Sequence, residues 1–282
     1  MTVNPIDRNT GTIQSAIALA SAKTGVDFNY LLGQAQVESG MRADARAGTS
    51  SASGLYQFIE QSWLAVIKKH GAEHGLGWAA DSIGEGANGR MTVSDPATRR
   101  AILALRNDPS TASLMAAEHA ADNKASIEGS LGRTATGTDL YMAHFLGLGG
   151  ARNFLKNMEA NPGKIGAALF PAAARANHNI FYGAGGQPRT LSEIYDRFSA
   201  KLDRGAASVG AVGLASRSLT PTESSDGMEV IPSNGESQTG ATRWAQATIT
   251  QLKGTTDRAA SLLRPTPDTA RLAYLMLARL GG

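Results

Sequence analysis

At 282 residues and 42% hydrophobic content, the chain can hold one domain of about 200 residues with its own core, plus an appendage. Its net charge of +3 divides as 20 basic against 18 acidic residues up to Arg204 and 7 against 6 beyond, so no basic stripe marks a nucleic-acid partner. The absence of cysteine excludes disulfides and thiolate chemistry.

Ile13, Ala16, Ile17 and Ala20 recur at spacings of three and four and predict an opening helix that Gly25 ends. Asp27 is the expected N-cap of a second helix. Leu31, Leu32, Ala35, Gln36 and Ser39 follow at helical spacing, Val37 adds to the buried side, and Gly40 supplies a left-handed stop. Glu38 then falls in the last turn, where unpaired carbonyls and the negative end of the helix dipole disfavour a second negative charge. Its carboxyl is therefore expected to hold its proton more tightly than usual. The ordinary alternative is a surface glutamate at a helix end.

Residues 47 to 54 carry no bulky side chain and read as a loop whose backbone can come close to a ligand. Leu55, Tyr56, Gln57 and Phe58 begin a more structured segment. Apolar residues around an amide suit a sugar, which offers one apolar face and a rim of polar groups. Glu60 opens a helix that runs to His70. Between Gly71 and Gly89 inclusive there are six glycines, and Trp78 among them either stacks on a sugar ring or plugs the base of the loop.

Asp95-Pro96 and Asp108-Pro109 each pair an N-cap with a proline at the first helical position. The second of these helices passes through Leu114, Met115, Glu118 and Asp122 towards Ile127. Glu118 and Asn123 either reach a groove from it or lie on a solvated face. Tyr141 to Ala151 is helical and then breaks into glycines, with the Tyr141 phenol and the His144 imidazole about one turn apart. As core residues they would be a buried aromatic with a polar tip and a satisfied histidine. Residues 170 to 182 predict a short helix with Asn177 towards substrate. Thr190 with Glu193 is a capping box for a last helix through Ile194, Tyr195, Phe198 and Leu202. No sustained apolar alternation appears, so few strands are expected and the fold class is mainly α.

From Gly205 to Gly240 the composition turns to small and polar residues and reads as a flexible linker. Residues 241–282 read as a helical tail, with one amphipathic helix from Trp244 to Leu263 and a second capped by Thr266-Pro267. This tail is too short and interrupted to span a bilayer, and its apolar end suits docking to a protein partner. His70 and His74 are four apart, but Gly71 and Gly75 interrupt the helix that would align them. Neither a metal nor any other cofactor is expected.

Glu38-Ser39, Gly54-Leu55-Tyr56-Gln57 and the Tyr141 segment, in this order, resemble the soluble lytic transglycosylase (SLT) family of the lysozyme-like superfamily, over roughly residues 10 to 204. Tyr56 stands where the family has methionine, and Met142-Ala143-His144 where it has Asn-Ala-Gly. The resemblance implies a lysozyme-like helical domain with Glu38 as the single catalytic acid/base. Ser39 would orient that acid, Gln57 would present a substrate-facing amide and Tyr141 would lie near the acid, and Ser39, Tyr56, Gln57, Tyr141 and His144 are the expected substrate-binding residues. It also implies cleavage of the β-1,4 bond between N-acetylmuramic acid and N-acetylglucosamine in peptidoglycan, closing a 1,6-anhydro ring without water.

A hydrolase using two carboxylates needs a partner about 5–9.5 Å from the acid. Asp44 lies between Arg42 and Arg46 and reads as a solvated loop residue, while Glu60 reads as a first-turn residue complementing its helix dipole. A one-acid mechanism fits better. The alternatives are a lysozyme-type muramidase assisted by Asp44 or Glu60, and a non-catalytic wall-binding factor of a flagellar or secretion assembly. Peptidoglycan implies the periplasm or cell envelope, although Met1 to Thr12 has no basic segment followed by an apolar run. Export is then expected through a flagellar or secretion apparatus, a phage lysis system or a leader omitted at the start.

Overall fold

The computed structural model describes residues 5–48 and 50–217, with side chains from residue 11 onward. The described residues are mainly helical, as expected. The opening helix α1 (Pro5–Thr24) stops at Gly25, whose φ of +72° is left-handed. Helix α2 (Phe28–Ser39) starts at Asp27, whose carboxylate accepts the Tyr30 amide at 2.8 Å, and ends at Gly40 with φ 62°. Both caps are the predicted ones.

Helix α3 (Glu60–His70) runs into a single 3-10 turn (Gly71–His74) and then the short α4 (Gly77–Ser82). A two-residue hairpin follows, β1 (Gly84–Glu85) antiparallel to β2 (Met91–Thr92), with Gly84 opposite Thr92. The Asp-Pro signals mark α5 (Pro96–Ala104) and α6 (Pro109–Leu131). Asp95 accepts the Thr98 amide and Asp108 the Thr111 amide. Helix α7 (Gly137–Ala160) is bent at Gly147, where φ 70° and ψ 160° leave the helical region, at the predicted run of glycines. Three short helices, α8 (Gly166–Leu169), α9 (Pro171–Ala176) and α10 (His178–Phe181), lead to α11 (Leu191–Ser208), opened by the Thr190–Glu193 capping box.

One continuous apolar core joins these elements. Trp63 at its centre is fully buried, donates from its indole nitrogen to the Ile102 carbonyl at 2.8 Å, and meets the Phe58 ring edge-on at 5.3 Å. Helix α1 packs along α6, α6 along α7, and α11 against both α7 and α2. The α2–α11 contact depends on two glycines. A Cβ on Gly33 would lie 2.9 Å from the Leu202 carbonyl oxygen, and one on Gly205 would lie 2.8 Å from Val37 Cγ2.

The expected linker from Gly205 needs correction over its first residues. Helix α11 continues to Ser208, and Ala206 and Ala215 are buried. The Asp203 carboxylate accepts from the Ser216 amide and hydroxyl at 2.8 and 2.7 Å, and the Gly137 amide donates to the Arg217 carbonyl. Small residues that read as flexibility are here the ones that allow close packing. Residues 218–240 of the expected linker and the whole expected helical tail, 241–282, lie outside the described residues. Among the described residues no helix is long and apolar enough to cross a membrane.

Candidate active site

Glu38 is the penultimate residue of α2, and its side chain is 17% exposed. Tyr141 on α7 donates its phenol hydrogen to Glu38 Oε1 at 2.8 Å. One turn further along α7, His144 Nε2 lies 3.5 Å from the same oxygen. The Tyr141 and His144 rings are nearly parallel, at 11° and 6.0 Å between centroids. Residues separated by 103 positions in the chain thus meet at one carboxylate, because α11 packs against both helices that carry them.

Lys201 of α11 completes the group. Its ammonium donates to the Tyr141 oxygen at 3.3 Å and lies 5.7 Å from the centre of that ring. The donors therefore form a chain, Lys201 to Tyr141 to Glu38, each pointing towards the negative charge. Lys201 was absent from the residues expected at the site. Its available signal was its place three residues after the buried Phe198, at the edge of the apolar face of α11.

The electrostatics reverse one expectation. Burial raises the proton affinity of the Glu38 carboxyl, but His144, by hydrogen bond and charge, then the Tyr141 hydrogen bond and the Lys201 charge outweigh it. The carboxyl is held below its ordinary value. The helix dipole and burial both act upward and are local to α2, while the opposing donors come from α7 and α11, remote in sequence. The His144 hydrogen bond needs a hydrogen on Nε2, which a neutral imidazole can also carry. Burial first, then the charge of Glu38 and the bond to it, push the Tyr141 phenol far upward, so it stays a donor.

Ser39 does not touch Glu38 directly. Its hydroxyl donates to the Ala35 carbonyl at 3.0 Å and accepts the Arg42 amide at 3.1 Å, tying the end of α2 to the next turn. Gln57 occupies a left-handed conformation with φ 48°, and its side-chain nitrogen donates to the Ala45 and Gly54 carbonyls at 3.1 and 2.9 Å. Both amide hydrogens are thus committed inside the loop, leaving the amide oxygen as the group it can offer a ligand. Tyr56 departs from its expected role. At 1% exposure it is a core residue, since the short segment turns its ring inward beside Leu55, and burial pushes its phenol up, tempered by Ser113. Gly54 is required where it stands: φ is +82°, and a Cβ would fall 1.9 Å from the Arg106 carbonyl oxygen.

The other carboxylates considered are engaged or distant in role. Glu60 is gripped by the Arg99 guanidinium through both oxygens, and Asp44 is exposed in its loop. Asn123 is buried, and Glu118 accepts from His74 Nε2 at 2.7 Å. Trp78 on α4 is 48% exposed, so its ring is available for stacking. Asn177 caps α9 and donates to the Ala173 carbonyl. A concavity of about 190 Å³ between α1 and α6, lined by residues including Leu19, Lys23 and Leu114, contains none of the Glu38 group.

The expectation that His70 and His74 could not converge is also corrected. Gly71 is itself helical, with φ −57° and ψ −39°, and the chain continues as a 3-10 turn before Gly75 ends it in the left-handed region. Both imidazoles therefore reach Glu118, at 3.5 Å for His70 Nδ1 and 2.7 Å for His74 Nε2. No protein-family model matches the sequence.

Proposed function

We propose that this chain is a lytic transglycosylase of peptidoglycan, with a lysozyme-like helical domain of the SLT type and a single acid/base, Glu38. The observation that supports this best is the Glu38 carboxyl itself: mostly buried, bonded to Tyr141, and facing His144, with Glu60 committed elsewhere. One carboxylate that alternates as donor and acceptor suits a reaction in which the substrate supplies its own nucleophile.

In the first step Glu38 gives its proton to the glycosidic oxygen, and the bond from that oxygen to the muramyl C1 breaks. The C6 hydroxyl then bonds to C1, and its proton returns to Glu38. Nothing is consumed, and water takes no part. A hydroxyl already held near C1 has the proximity advantage of an intramolecular reaction. In the free protein the lowered proton affinity keeps Glu38 ionised at neutral pH. When glycan covers the lip and removes the remaining water, burial weighs more heavily against the carboxylate and favours the protonated acid that the first step needs. Gln57 offers its amide oxygen to the glycan, and Ser39 fixes the turn on which Glu38 stands. The substrate assigns the protein to the periplasm or cell envelope.

Mass spectrometry of digested peptidoglycan tests this reading. Anhydro-muropeptides are expected from the wild type and none from Glu38→Gln. Products one water heavier would identify a muramidase, no products with retained wall binding would identify a non-catalytic factor, and full activity of Glu38→Gln would refute the mechanism.

A further inference from the structure

On the side of α6 that carries Glu118 and Asp122, a second cluster has no part in the proposed reaction. His70 is 9% exposed, and its Nδ1 atom is buried without a hydrogen-bond partner. Its Nε2 lies 2.9 Å from Asp122 Oδ2, and Asp122 accepts from Lys69 at 2.6 Å through its other oxygen. An ionised carboxylate only accepts, so Nε2 carries the hydrogen and the Nδ1 lone pair is free in the neutral ring. That lone pair faces two more acceptors, Glu118 Oε2 at 3.5 Å and Glu73 Oε2 at 3.9 Å. Three acceptor atoms this close repel unless a proton or a cation lies among them.

The distances favour an ion over a direct bond. A hydrogen bond would close to about 2.7–3.2 Å. Ligands about 2.1 Å from a tetrahedral zinc stand about 3.4 Å apart, near the His70–Glu118 separation. One atom from each of His70, Glu73 and Glu118 falls within 4.8 Å of the others. The outer contacts are those a metal site needs: Asp122 fixes the tautomer and ring orientation of His70, and His74 holds Glu118 Oε1 at 2.7 Å, which leaves Oε2 directed inward.

We propose that His70 Nδ1, Glu73 and Glu118 bind a zinc ion, with water as the fourth ligand on the side where Glu73 is open to solvent. The ion would join the end of α3 and its 3-10 turn to the middle of α6, a structural clip separate from Glu38. It adds no step to the proposed reaction.

Calorimetric titration of the chelator-treated full chain with ZnCl₂ tests this, read together with the thermal midpoint. One equivalent is expected to bind saturably and raise the midpoint. Glu73→Gln, whose side chain is 69% exposed and so removable without unfolding, should weaken binding at least tenfold and abolish the rise, and Glu118→Gln should do the same. Glu38→Gln should bind zinc as tightly as the wild type, distinguishing this site from the acid group. Absence of saturable binding, or binding that survives in both Glu73→Gln and Glu118→Gln, would overturn the proposal.

Discussion

Replacing Tyr141 with Phe removes one hydroxyl and little else. The ring would keep its stacking on His144 at 6.0 Å, its edge contact with Phe198 at 5.4 Å and its place under Lys201. What is lost is the 2.8 Å hydrogen bond to Glu38 and the longer one, 3.3 Å, accepted from Lys201, whose ammonium can turn to solvent instead. A bond to an ionised acceptor contributes about 1.5–3 kcal/mol, and water reaching the 17% exposed carboxylate recovers part of it, so a loss of about 1.5–2 kcal/mol at neutral pH follows.

The pH dependence separates this bond from simple packing. Glu38 is held below its ordinary value of 4.5 in the folded protein, so its ionisation contributes stability above that value. The contribution disappears as pH falls through the folded value. Removing the Tyr141 donor shrinks the shift, so the gap between wild type and Tyr141→Phe should be widest at neutral pH and narrow steadily below about pH 5. Urea unfolding of both proteins across that range measures it. An equal gap at every pH would mean that the hydroxyl acts through packing, and no gap at neutral pH would refute the charged hydrogen bond.

His144→Gln should raise the proton affinity of the Glu38 carboxyl, because it removes the hydrogen bond and charge that oppose burial; a carbon-13 titration of that carboxyl that does not move would remove His144 from the group. Gly54→Ala should cost about 3 kcal/mol or more, combining a left-handed backbone with a Cβ driven into the Arg106 carbonyl. Gly48→Ala serves as its control, since a Cβ there meets nothing within 4 Å. A Gly54→Ala loss under about 1 kcal/mol in denaturant unfolding would show that the loop yields.

Features written in local chemistry were legible before the structure. Asp27, Asp95, Asp108 and Thr190 cap the helices they were expected to cap, and Gly25, Gly40 and Gly147 end or break helices where expected, because a cap or a stop depends on a few neighbouring residues. Glu38 and Tyr141 stood out by residue type, and the structure brings them together. The sign of the Glu38 shift was not legible, since it depends on Lys201 and His144 arriving from other helices. Tyr56 was misjudged for a related reason. In a segment of four residues no periodicity tells an inward ring from an outward one. The His70–Glu118 cluster was missed because a glycine was taken as a break where the backbone continues helically.

The glycine contact between α2 and α11 has a consequence for how the acid could be tuned from a distance. Lys201 lies one turn before Gly205, so the spacing of the α2 and α11 axes bears on how far its charge stands from Glu38. The Lys201 ammonium already stands on the Tyr141 oxygen in the folded protein, so its charge acts on Glu38 without rearrangement. A single methyl at position 33, 2.9 Å from the Leu202 carbonyl oxygen, would press on the backbone of α11 and so alter acidity at Glu38 with no atom of the site changed.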